Sequence, residues 1–262
     1  MTSLALAAHD SATMLRRNVK RMRRYPSMTL MLIGLPVLLL LLFVYVFGGT
    51  LGAGIAGASG GRAEYLAYVT PGIILIAVGG VATGTAVSVA MDMTEGIIAR
   101  FRTMAIFRPS VLAGHVLGAV IQTGICVAVV LAVGVAIGFR PNANAVEWLG
   151  VAGLLAAITF SFTWLSVALG LVSDSAETAS NLPMPLTFLP FLSSGFVPVE
   201  SMPAGLRWFA EYQPFTPFIE TLRGLLLGMP IGRSAVVSLA WCAAITLVSY
   251  LWARASYNRD PA

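Results

Sequence analysis

Residues 29–47 read TLMLIGLPVLLLLLFVYVF, nineteen positions without a charge. As a helix this run is about 28 Å long, enough to cross the hydrocarbon core of a bilayer. Just ahead of it, residues 12–24 (ATMLRRNVKRMRR) carry six basic side chains: Arg16, Arg17, Lys20, Arg21, Arg23 and Arg24. They surround an apolar edge of Leu15, Val19 and Met22, the pattern of an amphipathic helix lying in the headgroup plane. Tyr25-Pro26 ends it, because the residue before proline is pushed out of the helical region. The interfacial helix is therefore placed at 12–25.

Five further apolar blocks follow, at 71–91, 111–137, 148–172, 179–197 and 234–253. The expected fold is all-α, a single polytopic membrane domain over 1–262 with six transmembrane helices. Pro71 suits a first helical turn. In the block at 179–197, the fifth span, Pro183 and Pro190 each remove an internal hydrogen bond, so that span should be kinked or broken. Residues 48–61, GGTLGAGIAGASGG, are half glycine and read as a flexible external loop. The segment 198–233 is too long for a turn and too apolar for a solvated loop. Pro203, Pro214, Pro217 and Pro230 divide it into two short re-entrant helices before the last span. Glu220 and Arg223 are spaced there for an i,i+3 pair.

Composition agrees: 58% of the chain is hydrophobic and 10% charged, with a mean hydropathy of +0.86. A soluble domain carries about 25% charged residues. The net charge of +5 does not point to nucleic acid, because six of the sixteen basic residues crowd ahead of the first span. That placement is a membrane-surface and orientation signal. Six spans put both termini on one side. Eleven basic residues then share the side of the N-terminus and five lie opposite, which assigns both termini to the cytoplasm of a multi-pass protein in the cell membrane.

The absences narrow the function. Lys20 is the only lysine and follows valine, so the chain holds no GxxxxGK[ST] phosphate loop, and any ATP must be bound elsewhere. The six spans contain no Asp, Glu, Lys or Arg, which argues against an ion-coupled carrier. No filter-like ring marks a channel. Cys126 and Cys242 read as small buried hydrophobes and His9 and His115 as isolated, so no metal-site motif is present. Asp92 and Glu95, three apart on one helix face, could form an acid/base pair or a metal foothold, but they read better as charges at a helix boundary.

Residues 95–110, EGIIARFRTMAIFRPS, form an amphipathic run between the second and third spans. With the basic helix and two spans before it, this order resembles the permease subunits of type-2 ABC exporters. Residues 170–228 are similar to the daunorubicin-resistance-type drug permeases, notably FLSSGFVPVESMP and WFAEYQPFTPFIETLRGLLLG. The resemblance covers about 15–253. It departs at Phe107, where the pattern has a smaller residue before Arg108-Pro109.

The resemblance implies an exporter permease, not an enzyme, working by alternating access as a dimer with a second copy or a paralogue. Two separate ATPase subunits would bind ATP and Mg, and this chain would carry no cofactor. The run at 95–110 would be a coupling helix: Glu95 favouring its N-terminus, Arg100, Arg102 and Arg108 making charged contacts, and Phe101, Met104 and Phe107 an apolar anchor. Asp174 and Glu177, in an acidic turn on the same side, are a candidate second contact. The substrate path is expected where the second and fifth spans of two subunits face each other, along Thr83, Thr85 and Ser88 and along Met184, Phe188 and Phe191. A path without fixed charge suits a hydrophobic or amphipathic small molecule such as a drug, antibiotic or lipid. The competing readings are an ATP-independent channel or carrier, or a membrane anchor for a cytoplasmic complex.

Overall fold

A computed structural model of the chain describes residues 3–24, 26–56, 60–95 and 109–257. Among the described residues there are helices and turns but no strand. Helix α1, Ser3–Arg24, contains the expected amphipathic segment and begins well before it. Helix α2, Pro26–Leu42, passes through a π-helical turn at Phe43–Phe47 into α3, Gly48–Ala56. The glycine-rich stretch expected to be a loop is thus helical as far as Ala56. Its glycines are there for proximity: a Cβ on Gly52 would lie 2.1 Å from the Gly61 carbonyl oxygen, and one on Gly48 would lie 3.2 Å from the Arg62 side chain. Packing against the neighbouring helix offsets the roughly 1 kcal/mol that each glycine costs a helix relative to alanine.

That neighbour is α4, Arg62–Thr94, the axis of the bundle. Its 33 residues make about 50 Å of helix, well beyond the span expected at 71–91. The Glu64 carboxylate accepts from the Gly61 N–H at 2.8 Å and holds the first turn. Pro71 therefore lies inside the helix and not in its first turn. A proline there removes a ladder donor and loosens the preceding turn. Arg223 donates into that turn, to the Tyr68 carbonyl at 3.1 Å, with its guanidinium 3.8 Å from the centre of the Tyr68 ring. Residues 69–79 are buried on every face, as the uniformly apolar sequence requires.

Helices α5, Pro109–Ala136, and α6, Ala145–Leu171, follow. Asn144 opens α6 reciprocally: its side-chain oxygen accepts from the Glu147 N–H at 2.9 Å, and the Glu147 carboxylate accepts from the Asn144 N–H at 2.7 Å. The next block departs from a single span. Residues 179–197 hold the end of α7, Ala176–Asn181, then α8, Met184–Phe188, and a 3-10 turn at Leu189–Leu192. Prolines 183, 185 and 190 interrupt the ladder, and the segment leans on α4 instead. A Cβ on Gly79 would meet the Leu186 carbonyl oxygen at 2.5 Å, and one on Gly72 would meet Gly195 backbone at 3.1 Å. Beyond them the Tyr65 hydroxyl donates to the Phe196 carbonyl at 3.3 Å. The broken segment thus runs antiparallel to α4 from Gly79 to Tyr65, about 21 Å of helix.

Two short helices come next, α9, Ala204–Tyr212, and α10, Phe215–Leu227, where two were expected. Phe215, Phe218, Ile219, Leu222 and Leu226 of α10 are fully buried. At about 20 Å, α10 is too short to cross a bilayer. Gly228 closes it at φ +66, the left-handed cap that glycine adopts without penalty. The expected Glu220–Arg223 pair is not formed. Arg223 turns inward to the carbonyls of Tyr68 and Ser194, the latter at 2.6 Å, while Glu220 accepts from the Ser234 hydroxyl at 2.8 Å. Buried carbonyls exposed by the broken segment compete better for a guanidinium than a carboxylate facing water.

The last helix, α11, Ser234–Tyr257, packs on α6 with the rings of Trp164 and Tyr250 edge to face at 5.2 Å. Among the described residues five helices are long and apolar enough to cross a membrane: Thr29–Ile55, Arg62–Thr94, Gly114–Ala136, Ala145–Leu171 and Ser234–Ser256. Outward-facing Leu30, Met31 and Leu38 on α2 and Val236, Leu247 and Val248 on α11 leave apolar flanks that water would not tolerate. Both cysteines are free and buried.

Candidate functional site

Next to the contact with the broken segment, small residues on α4 leave space. Gly80, Thr83, Gly84, Thr85 and Ser88 border a cavity of about 450 Å³ walled by α1, α2 and α5. The Thr83 and Thr85 hydroxyls donate to the carbonyls of Gly79 at 3.1 Å and Val81 at 3.0 Å, so towards the cavity they offer only acceptor oxygens. The three hydroxyl residues expected in the substrate path therefore do share one cavity.

Their expected companions do not. Met184 and Phe188 are about half exposed, and Phe191 stacks on Phe196 with ring centroids 4.6 Å apart. None of them borders the cavity, because the broken segment packs on a neighbouring side of α4, along Gly72 and Gly79.

One end of the cavity is closed by a polar cluster. Arg17 on α1 pairs with the carboxylate of Asp92 on α4, and the same carboxylate oxygen lies 3.1 Å from Nε2 of His115 on α5. The side chains of Asp92 and His115 are 4% and 5% exposed, so the carboxylate depends on these partners. Nearby, Asn18 donates to the Gly114 carbonyl at 2.8 Å. Glycines let α1 come this close: a Cβ on Gly114 would lie 2.5 Å from the Met14 Cβ, and one on Gly118 would lie 3.2 Å from Asn18.

Sequence reasoning assigned Arg17 to a membrane-surface charge, Asp92 to a helix boundary and His115 to isolation. The residues are far apart in sequence, and only helix packing joins them. One signal was present: Asp92 continues the face of Thr85 and Ser88 at helical spacing. The cluster yields a stability prediction. Asp92→Ala should destabilise the purified chain by about 3 kcal/mol, since removing one member of a buried pair strands the others. Thermal unfolding in detergent checks it, and an unchanged midpoint would mean that the cluster contributes nothing.

Of the residues expected to form the coupling surface, Arg100, Phe101, Arg102, Met104, Phe107 and Arg108 lie outside the described residues. Glu95 is exposed and closes the C-terminus of α4, its N–H donating to the Met91 carbonyl at 2.9 Å. Asp174 and Glu177 are also exposed, after α6. They share the Glu95 end of the bundle, because a Cβ on Gly170 would lie 2.7 Å from the Ala86 carbonyl oxygen of α4. Among the described residues no group of three His, Cys, Asp or Glu could hold a metal ion.

Comparison with known proteins places this architecture. Residues 10–227 match the family model described as ABC-2 type transporter. Over 225 residues the chain is 29% identical to the daunorubicin resistance ABC transporter permease protein DrrB1 of Streptomyces coeruleorubidus, covering 86% of this chain and 77% of that protein. It is 27% identical over 194 residues to the probable doxorubicin resistance ABC transporter permease protein DrrC of Mycobacterium tuberculosis, covering 71% and 68% respectively.

Proposed function

The chain belongs to the ABC-2 type transporter family, and on that premise we propose that it is the permease subunit of an ATP-driven exporter of hydrophobic or amphipathic molecules. The observation that carries the reading is the match over residues 10–227 to a transporter family in a chain without a phosphate loop of its own. Energy then enters from two copies of a partner ATPase, which bind ATP and Mg, and the permease works with a second copy of itself or a paralogue. The relatives are named as a daunorubicin resistance permease and a probable doxorubicin resistance permease, so amphipathic aromatic drugs are the first substrates to try.

In this reading the broken segment is a sixth crossing. Its course along α4 from Gly79 to Tyr65 supports that role. Helices α9 and α10 form the re-entrant element on the outer side. Both termini face the cytoplasm by the charge count, together with Glu95, the run at 96–108, Asp174 and Glu177. The ATPase docks there, and its closure drives alternating access.

Reconstitution tests this directly. The permease together with a partner ABC ATPase, in liposomes, should move daunorubicin in an ATP-dependent, vanadate-sensitive manner that needs both chains. Equal flux without ATP would replace the exporter reading with a channel or carrier.

A further inference from the structure

The polar cluster and the cavity meet at one residue. His115 of α5 borders the cavity and is also the ring that Asp92 holds. Among the described residues no Asp, Glu, Lys or Arg borders the cavity, so charge does not choose its ligand. Hydrogen-bond polarity can.

Arg17 keeps its proton and pairs with Asp92, so the carboxylate is ionised and accepts only. The hydrogen in the 3.1 Å contact between Asp92 and His115 is therefore assigned to Nε2. Arg17 already balances the carboxylate, and a further charge on the ring would be buried without a counter-ion. The ring is then neutral in one tautomer, with Nδ1 as a bare acceptor. Among the described residues Nδ1 has no hydrogen-bond partner. In a side chain only 5% exposed, an acceptor without a donor is costly.

The other polar groups around the cavity do not discriminate in this way. The Ser88 hydroxyl and the Gln122 amide can each donate or accept. Gln122 lies two turns beyond His115 on the same side of α5, about 10 Å along the axis, with Gly118 and Ala119 between them. That stretch is apolar, and the cavity opens sideways past Met31 and Leu35, which are 79% and 49% exposed. Its volume of about 450 Å³ falls in the range of small-ligand sites, about 300–1,000 Å³.

We propose that His115 is the selecting residue of this cavity: its Nδ1 accepts a hydrogen bond from a hydroxyl, phenol or N–H group on a bound hydrophobic molecule. Asp92 and Arg17 are positioning residues that fix the ring and its tautomer. An analogue whose donor is capped by a methyl group leaves Nδ1 unpaired and is rejected. Calling the ligand a substrate rests on the exporter reading, whereas the binding site does not.

Equilibrium dialysis of the purified full chain in lipid nanodiscs tests this, with empty nanodiscs correcting for partition into lipid. The probes are 2-naphthol and its methyl ether, which differ in a single donor. Wild type should bind the naphthol about tenfold more tightly, the size of one net hydrogen bond. His115→Asn keeps an acceptor near the place of Nδ1 and should keep the preference. His115→Gln carries its amide outward to where Nε2 met Asp92, and should lose the preference with binding of the ether unchanged. Should either variant misfold, nitrogen magnetic resonance of wild type labelled at histidine decides. Nδ1 of His115 should be unprotonated and should shift when the naphthol is added, while His9, the other histidine of the chain, stays in place.

Equal affinities in wild type, or no binding beyond that of empty nanodiscs, would overturn the proposal. So would the same preference in His115→Gln, or an Nδ1 that carries a proton or ignores the naphthol. The dialysis contains neither ATP nor an ATPase, so its failure leaves the exporter reading standing. Failure of the liposome assay, in turn, leaves the His115 site standing.

Discussion

Arg100→Glu combined with Arg102→Glu is expected to abolish ATP-driven transport while the permease still reaches the membrane in full amount. These residues lie in the run that joins Glu95, at the end of α4, to Pro109, at the start of α5. Both helices border the cavity, so a pull on the run acts directly on its walls. Exposed Glu95, Asp174 and Glu177 crowd the same end, and two more acids would turn a mixed docking surface strongly negative. Losing charged contacts that are buried on docking costs about 2–5 kcal/mol, roughly 30-fold or more in ATPase affinity. Insertion should survive because six basic residues remain ahead of the first span. Co-purification of the ATPase and drug uptake into inverted vesicles measure the two effects. Wild-type uptake by the double variant would remove the coupling role from this run.

The second large effect comes from two adjacent glycines with opposite surroundings. Gly79→Ala places a methyl 2.5 Å from the Leu186 carbonyl oxygen and 2.9 Å from its carbon, where only backbone can yield. Overpacking a core costs about 1–3 kcal/mol, and backbone contact belongs at or above the top of that range. Gly80→Ala meets only the end of Leu32, at 3.5 Å, and gains about 1 kcal/mol of helix propensity. The first variant should therefore lose most of its folded yield, and the second should match or exceed wild type in unfolding temperature. Equal midpoints would show that the broken segment does not press on α4. The contrast is useful because composition and hydropathy cannot separate the two substitutions.

Some of this architecture is legible along the chain and some is not. The long apolar runs announce α2, α4, α5, α6 and α11, since twenty apolar residues in a row leave a bilayer as the only solvent. The prolines at 183, 185 and 190 foretell a break in the next block. They do not foretell that the broken piece would be carried by two glycines of α4. Helix α4 itself is misjudged: Pro71 suggests a beginning, and the helix starts at Arg62, where Glu64 holds the first turn. The glycines at 48–54 suggest a loop, and they form a helix because Gly61 and Arg62 lie against them.

The site divides in the same way. Thr85 and Ser88 fall on one side of α4 by spacing, whereas Thr83, two positions from Thr85, joins them only through the cavity that the neighbouring helices leave. Met184, Phe188 and Phe191 were joined to them by type, and packing sends them to a neighbouring side. The docking of Arg17 on Asp92 and His115 has no local signature, since its members come from three helices and meet only after α1 settles on Gly114 and Gly118. Hydropathy, proline positions and the absence of a phosphate loop are properties of the chain read one residue at a time. They determine that this is a helical chain with several bilayer-length apolar blocks and no phosphate loop in its sequence. Which glycines touch backbone, which carboxylate is buried and where the bundle leaves a cavity depend on distances between helices, and only the tertiary structure sets those.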